Sequence, residues 1–201
     1  MGNAPLTLDD IADLRAYERQ RPDFRAHIID LKKRRRVAVG PVVSLVFENR
    51  DTIRFQVQEM ARAERLISDS AIQTELDTYN PLIPAAGQLR ATLFIELTSR
   101  EEMERWLPRL VGIERDVELR IGEGDAAEVV KADVDLAHAA QLTRQEVTAA
   151  VHYVGFSLTD GQVARFADEP SVWLAVNHPQ YSESTLLREE TKRSLLEDLL
   201  G

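Results

Sequence analysis

The sequence predicts one α+β domain, residues 1–201, with a mainly antiparallel sheet and helices at the start, middle and end of the chain. Three observations predict it. Short segments of alternating apolar and polar residues follow one another closely, which is typical of antiparallel strands. Helical patterns gather in three places, including a helical N-terminal segment, residues 1–36, that is expected to pack on the rest. No repeat or low-complexity linker divides the chain, and 201 residues suffice for one substantial core.

Composition and charge restrict the classes of function. The chain has no cysteine, which excludes disulfides, thiol catalysis, zinc fingers and cysteine-ligated iron–sulfur clusters. Absence of cysteine also fits a cytoplasmic location. A net charge of −9 argues against nucleic acid or an anionic membrane as partner. We expect no transmembrane helix, because no run of about 18 apolar residues occurs, and no signal peptide.

The N-terminal segment predicts two helices. Thr7 opens a capping-box pattern for a helix over residues 8–18, and Pro22 suits the first turn of a second helix. That second helix ends in the basic run at residues 32–36. Positive charge is favourable at a helix C-terminus, and we prefer this interpretation to a phosphate or nucleic-acid contact because the rest of the chain is acidic.

The centre of the chain, residues 45–60, carries the densest group of polar side chains. An apolar strand over residues 41–47 is broken by Glu48, Asn49, Arg50 and Asp51. The following residues fit a strand by alternation and a helix by their apolar face. We favour the helix, because Asn49 and Asp51 are good N-cap residues and strong helix formers follow. The helix would place Glu64 in the middle of its apolar face.

The remaining elements follow from the same patterns. Strands are predicted at residues 37–47, 89–97, 117–121, 128–134, 147–158 and 172–176. Further helices are predicted from the capping-box pattern at 70–73 to Asn80, after residue 99 with Pro108 limiting it, at 159–167 and at 186–200. Residues 135–143 fit a short helix or a loop. The leucines of the last helix suit docking on the sheet or on a second subunit. Docking within the chain is the simpler interpretation, and a homo-oligomer is left open.

The sequence resembles an uncharacterised bacterial domain family over nearly its whole length. The resemblance rests on the strings Y-E-R-Q-R-P-D-F-R, F-E-N-R-D-T-I-R-F-Q-V-Q-E-M, L-D-T-Y-N-P-L-I-P, A-V-H-Y-V-G-F and N-H-P-Q-Y. Members are often encoded beside a rubrerythrin and an iron–sulfur oxidoreductase. The resemblance therefore implies an accessory role in redox or oxidative-stress metabolism with those proteins as partners. It supplies no catalytic residues, and whether the chain is an enzyme stays open.

Polar side chains around the central corner are the candidates for ligand binding. On the predicted helix, guanidinium and amide groups four residues apart would form one row that can donate to a carboxylate, a phosphate or an acidic protein. The stiff segment at 81–84 would hold the side chains just before it in place. The candidates are Glu48, Asn49, Arg50, Arg54, Gln58, Glu59, Tyr79, Asn80 and Tyr181.

The alternative function is a metal- or anion-binding enzyme that uses the Glu48–Glu59 region and the late histidines. Non-haem iron accepts two histidines and one carboxylate, which makes His152, His178 and Glu64 the candidate metal ligands. None of them has a diagnostic spacing, so a non-haem metal cofactor is a hypothesis only. A hydrolase or transferase is disfavoured, because no nucleophile motif surrounds the serines of the late strands.

Overall fold

The structure is a computed structural model that describes residues 3–134 and 147–201. Within these ranges the α-helices are α1 (Leu14–Arg35), α2 (Arg50–Glu64), α3 (Asp69–Tyr79), α4 (Arg100–Trp106), α5 (Asp160–Asp168) and α6 (Glu189–Leu200). The strands are β1 (Arg36–Val39), β2 (Val43–Glu48), β3 (Gln88–Ile95), β4 (Val117–Ile121), β5 (Glu128–Lys131), β6 (Val151–Ser157), β7 (Val172–His178) and β8 (Tyr181–Leu186). No helix in the described parts of the chain is long and apolar enough to cross a membrane.

The strands form two four-stranded sheets in which all neighbours are antiparallel. The first sheet has the order β1-β2-β3-β6 and the second has the order β5-β4-β7-β8. The α+β class with antiparallel pairing is therefore confirmed. The division into two sheets is new information, because alternation within a strand shows which residues are buried but not which strand lies beside it.

The main core lies between the two sheets and α6. Val43, Leu45 and Phe47 of β2 share this core with Leu119 of β4 and Leu174 of β7, all with almost no exposed surface. Burying each such side chain contributes about 1.5–3 kcal/mol. α6 adds its own leucines to the core, so its predicted docking within the chain is confirmed.

The other face of the first sheet is covered by helices. All six residues of β2 are buried, so the side of β2 that carries Ser44, Val46 and Glu48 is covered, mainly by α1, rather than open to solvent. A second, smaller apolar cluster joins the N-terminus to α2 and α3: Leu6, Ile53, Val57, Leu76 and Ile83. This helix-covered face holds most of the polar residues that matter below.

The prediction of two N-terminal helices is wrong. Residues Leu8–Asp10 form only a 3-10 turn, and α1 begins after Asp13, whose side chain accepts from the Ala16 N–H group at 2.8 Å. α1 then passes through Pro22 without ending. Pro22 lies on the exposed face of α1, where the carbonyl one turn earlier, which loses its N–H donor, can bind water instead.

The central corner forms a helix as predicted, and its cap is reciprocal. The Asn49 side chain accepts from the Thr52 N–H group at 3.0 Å, while the Thr52 hydroxyl accepts from the Asn49 N–H group at 2.9 Å. The placement of Glu64 in the apolar face is wrong. Glu64 is the last residue of α2 and is exposed. The helix ends there because Arg65 adopts a left-handed conformation with φ 54°, so the apolar face of α2 does not extend around Glu64.

Several smaller differences concern the ends of elements. α3 is capped by Ser68 rather than Ser70, and a 3-10 turn (Asn80–Leu82) replaces the expected extended segment. The predicted strand at 147–158 is shorter, and β8 was not predicted because its alternation is masked by polar residues on an exposed edge. The expectation for residues 135–143 lies outside the described residues.

Candidate functional site

The polar side chains of α2 are divided between two faces of the helix. Arg50, Arg54 and Gln58 point to residues 4–12, which we call the N-terminal strap. Thr52 and Gln56 point to the covered face of the first sheet. Residues two positions apart in an α-helix differ by about 200° around the helix axis, so the two sets of side chains lie on opposite sides of α2.

The arginine row holds the N-terminal strap. Arg50 donates to the Asp10 carboxylate at 2.6 Å and to the Ala4 carbonyl at 3.1 Å. Arg54 donates to the Asp10 carbonyl at 3.0 Å, and its guanidinium lies 5.1 Å from the centre of the Phe24 ring. The hydrogen bond from Arg50 lowers the pKa of Asp10. The row at four-residue spacing exists as predicted, but its donors are used within the chain.

Two side-chain amides hold the strap in the same way. The Gln58 amide accepts from the Ala12 N–H group at 3.0 Å and donates to the Ala12 carbonyl at 2.9 Å. The Asn80 amide accepts from the Leu6 N–H group at 2.8 Å and donates to the Leu6 carbonyl at 2.9 Å. Each amide thus pairs with both main-chain groups of one strap residue, as a neighbouring strand would do in a sheet. Both amides are therefore explained by the fold, and neither requires a ligand.

Glu59 belongs to a third internal contact. Its carboxylate accepts from the Tyr17 hydroxyl at 2.6 Å and from two guanidinium nitrogens of Arg21 at 2.8 and 2.9 Å. The hydrogen bond from Arg21 lowers the pKa of Glu59, while burial raises the pKa of Tyr17. This bidentate pair joins α1 to α2.

A cavity of about 180 Å³ lies on the opposite side of α2, against the covered face of the first sheet. We call it the Glu48 pocket. Its polar wall includes Glu48 and Thr92 of the sheet together with Tyr79 and Tyr153. Two of the predicted candidates, Glu48 and Tyr79, therefore meet at one cavity.

The Glu48 carboxylate is only partly satisfied by the protein. The residue is 7% exposed, and its Oε1 accepts from the Thr92 hydroxyl at 2.7 Å. Glu48 Oε2 accepts no hydrogen bond from residues 3–134 and 147–201. Oε2 is not enclosed by the protein, and Glu48 lines the cavity, so a hydrogen-bond donor in the pocket can reach this charged oxygen.

The position of Glu48 is fixed from outside the pocket. Arg35 is 1% exposed and donates to the carbonyls of Phe47 at 2.8 Å and of Glu48 at 3.0 Å. The same guanidinium contacts the Asp198 carboxylate and the Ser194 hydroxyl on α6. Burial raises the pKa of Asp198, although Arg35 opposes that effect. The end of β2 is therefore held by a buried charged pair.

Tyrosine hydroxyls complete the polar wall. Burial raises the pKa of Tyr153, and the nearby Tyr79 and Glu48 add to this effect. Tyr153 therefore stays protonated at neutral pH, and its hydroxyl can donate as well as accept.

The remaining lining was missed by sequence analysis. Thr92 and Tyr153 are direct partners across β3 and β6, and Lys32 and Gln56 reach the cavity from α1 and α2. Successive side chains of a strand point to opposite faces of the sheet, so the sequence predicts that Thr92 and Leu93 lie on different faces of β3. The pairing of β3 with β6, which brings Tyr153 to the same place, was not predictable.

Tyr181 lies away from the Glu48 pocket, between the two sheets. Its hydroxyl donates to the Val39 carbonyl at 2.5 Å and accepts from the Val42 N–H group at 3.3 Å. Gly40 has φ +71°, and a Cβ atom there would be 2.4 Å from the Tyr181 hydroxyl oxygen. Tyr181 is thus a packing residue at the turn between β1 and β2.

His152 is fully buried in the first sheet and faces a buried glutamate. Its Nε2 lies 2.8 Å from the Thr148 hydroxyl and 2.9 Å from the Ala149 carbonyl, which can only accept, so Nε2 carries a proton. His152 Nδ1 and Glu114 Oε2 are 3.8 Å apart, and neither atom has a hydrogen-bond partner among the described residues. The two atoms are too far apart for a hydrogen bond, so they form an unsatisfied buried polar pair beside the first sheet.

The candidate metal ligands do not form a cluster. His178 lies in the second sheet, where Nε2 contacts the Val111 carbonyl at 3.2 Å and Nδ1 accepts from the Gln180 N–H group at 3.2 Å. Glu64 is exposed at the end of α2. In the described ranges, no three histidine, aspartate or glutamate side chains are grouped as metal ligands would be.

Comparison with known proteins identifies the family. No match was found among curated proteins. A crystal structure described as a novel protein of unknown function from Burkholderia pseudomallei K96243 is similar over 98% of this chain and 100% of that chain, with 36% sequence identity and a TM-score of 0.87. The family model described as protein of unknown function (DUF3501) matches residues 5–199. The chain therefore belongs to the DUF3501 family.

Proposed function

We propose that this protein binds a small polar molecule in the Glu48 pocket. The observation that carries the proposal is the Glu48 carboxylate at the wall of the pocket. The residue is 7% exposed, its main-chain carbonyl is held by Arg35 and its Oε1 by Thr92, while Oε2 accepts no hydrogen bond from the described residues and is open to the pocket. A ligand that brings an ammonium or hydroxyl group to Oε2 would supply the missing hydrogen bond.

The size and lining of the pocket define the class of ligand. A cavity of about 150 Å³ accommodates a molecule the size of benzene, so about 180 Å³ suits a compound of similar size. Ile53, Leu82, Phe94 and Val151 provide apolar contact beside the polar wall. The pocket therefore favours a small amine or alcohol with a short apolar body, held at one end by Glu48.

A fragment screen tests this proposal. Ligand-observed NMR on the purified full chain, with small amines, alcohols and amino acids, should find binders whose signals are perturbed by the protein. In Glu48→Gln the Thr92 hydrogen bond is retained while the charge is lost, so amines should bind at least about tenfold more weakly.

Glu118→Gln is the matched control. Glu118 is a partly buried strand glutamate of the second sheet, paired with Arg120 at 2.6 Å and remote from the pocket lining. Its replacement should leave amine binding unchanged. The proposal fails if no compound binds, or if Glu48→Gln and Glu118→Gln bind amines equally well.

We also propose an accessory role in redox metabolism, on different grounds. The support is the family resemblance alone, which implies a rubrerythrin-type protein and an iron–sulfur oxidoreductase as partners. Affinity purification of the tagged chain under anaerobic conditions should recover both. Recovery of neither, from cells in which both are present, would remove this role and leave pocket binding unaffected.

A further inference from the structure

A second depression of about 330 Å³ adjoins the Glu48 pocket on the surface of α1. Its lining from α1 follows helical spacing: Arg25, Ile28, Ile29, Lys32 and Lys33, with Arg36 just beyond the helix. Phe55 of α2 closes the opposite side. We call this surface the cationic groove.

The pocket and the groove lie next to each other, separated by the side chains that line them. Lys32 lines both of them. Arg36, which lines the groove, has its guanidinium 5.4 Å from the centre of the Phe94 ring, and Phe94 lines the pocket. A molecule seated at Glu48 can therefore extend past Lys32 into the groove.

The charges of the groove are largely uncompensated. Within the described residues, Arg25, Lys32 and Lys33 have no ion-pair partner, whereas Arg36 is 3.3 Å from Glu96. The chain as a whole has a net charge of −9, so a group of four cations around one depression is a local reversal of charge.

The helix dipole accounts for only part of this charge. Lys32 and Lys33 lie in the last turn of α1, where cations are favoured. Arg25 lies two turns earlier, and Arg36 lies in β1. Ile29, an apolar side chain with 42% of its surface exposed, lies among them. Cations that surround exposed apolar surface are better explained by the binding of an organic anion than by the helix dipole alone.

We infer that the ligand of the Glu48 pocket carries an anionic group, a phosphate or a carboxylate, that lies in the cationic groove. This inference rests on the proposed function. The donor end of the ligand contacts Glu48, its middle passes Lys32, and its anionic end contacts Arg25 and Lys33, with apolar contact from Ile29 and Phe55.

A series of ω-aminoalkyl phosphates of two to five carbons is the probe. Their affinities, measured by calorimetry at low salt, are compared with those of the ω-amino alcohols of equal length and of inorganic phosphate. At the chain length that spans both sites, the phosphate should bind at least about tenfold more tightly than the alcohol. ω-Amino carboxylates tested alongside distinguish the two anionic classes.

Two sets of variants separate the two ends of the site. Arg25→Gln with Lys33→Gln should reduce the affinity of the phosphates to that of the alcohols and leave the alcohols unchanged; both residues are exposed, so folding is not at risk. Lys131→Gln combined with Arg100→Gln removes two exposed cations that lie outside both linings; it is the charge-matched control and should change neither. Glu48→Gln should weaken both series.

The outcomes also separate the two proposals. Amino alcohols that bind through Glu48 with no gain from the phosphate would overturn the anionic ligand and keep the pocket. Inorganic phosphate that binds at Arg25 and Lys33, with no effect of Glu48→Gln on any aminoalkyl compound, would overturn the spanning ligand and the proposed function together.

Discussion

The strap face and the pocket face of α2 carry similar side chains but differ in how they are satisfied. On the strap face, Arg50, Arg54 and Gln58 each bond to the N-terminal strap. On the pocket face, Gln56 has no hydrogen-bond partner in the described parts of the chain. Across the pocket from it, Glu48 of β2 accepts a hydrogen bond at one carboxylate oxygen. The polar residues of this one segment therefore have two roles: some hold the N-terminal strap, and others line the Glu48 pocket.

The difference shows what distinguishes a candidate binding site from a structural contact. Buried polar groups are nearly always paired, so an arginine with its donors used at about 3 Å is explained by the fold. A buried carboxylate beside a cavity, held in place and half satisfied, is not explained by the fold alone. The strap face therefore contributes to stability, and the pocket face is the better place to look for function.

The largest expected effect concerns the residue that holds the pocket from outside. In Arg35→Met, two strand carbonyls lose a donor and the buried Asp198 carboxylate loses its counter-charge. We expect a loss of about 3–5 kcal/mol in the free energy of unfolding, measured by urea denaturation.

Arg34→Met provides the neighbouring control. Arg34 is exposed and only 3.5 Å from Asp30 in a surface pair, so its replacement should change stability by less than about 1 kcal/mol. Adding Asp198→Leu to Arg35→Met should recover part of the loss, because it removes the unpaired charge. Equal stability of Arg35→Met and Arg34→Met would mean that the buried pair does not fix the end of β2.

Two glutamines of α2 provide a matched comparison of its faces. Gln58→Leu leaves the Ala12 N–H and carbonyl groups without partners and should cost about 2 kcal/mol. Gln56→Leu removes no hydrogen bond found among the described residues and should change stability by less than about 0.5 kcal/mol. Urea denaturation of the two variants gives the difference directly.

Hydrogen exchange locates the effect. Exchange at the Ala12 amide should become faster in Gln58→Leu and stay unchanged in Gln56→Leu, because only Gln58 accepts from it. Equal losses of stability in the two variants would show that the faces are not divided as the hydrogen bonds indicate.

Sequence patterns were sufficient for local structure and insufficient for pairing. The cap at Asn49, the end of α3 at Asn80 and the alternation in β3 all depend on neighbours within a few residues, and all three were predicted. The strap was not predicted, because Gln58 and Ala12 are 46 residues apart and no periodicity connects them. Most of the candidate site was missed for the same reason. Glu48 and Tyr79 were among the candidates, whereas Lys32 and Tyr153 reach the pocket by long-range packing.

The smallest expected effect is the response of the strap face to acid. The Arg50 hydrogen bond lowers the pKa of Asp10 below its ordinary value of 3.8. A carboxyl with a lowered pKa in the folded state contributes stability above its unfolded pKa and loses it as the pH falls through the folded pKa. Between about pH 5 and pH 3, Asp10→Asn should therefore lose less stability than the wild type, by under about 1 kcal/mol for a partly exposed pair.

Glu75→Gln is the control of opposite sign for this last measurement. Burial and the nearby Glu64 raise the pKa of Glu75, so protonation of Glu75 adds stability as the pH falls through that raised pKa. Removing this carboxyl should leave the acid-induced loss equal or larger, as measured by urea midpoints across the same pH range. A smaller acid-induced loss in Glu75→Gln than in Asp10→Asn would mean that the Asp10–Arg50 contact does not hold the strap on α2.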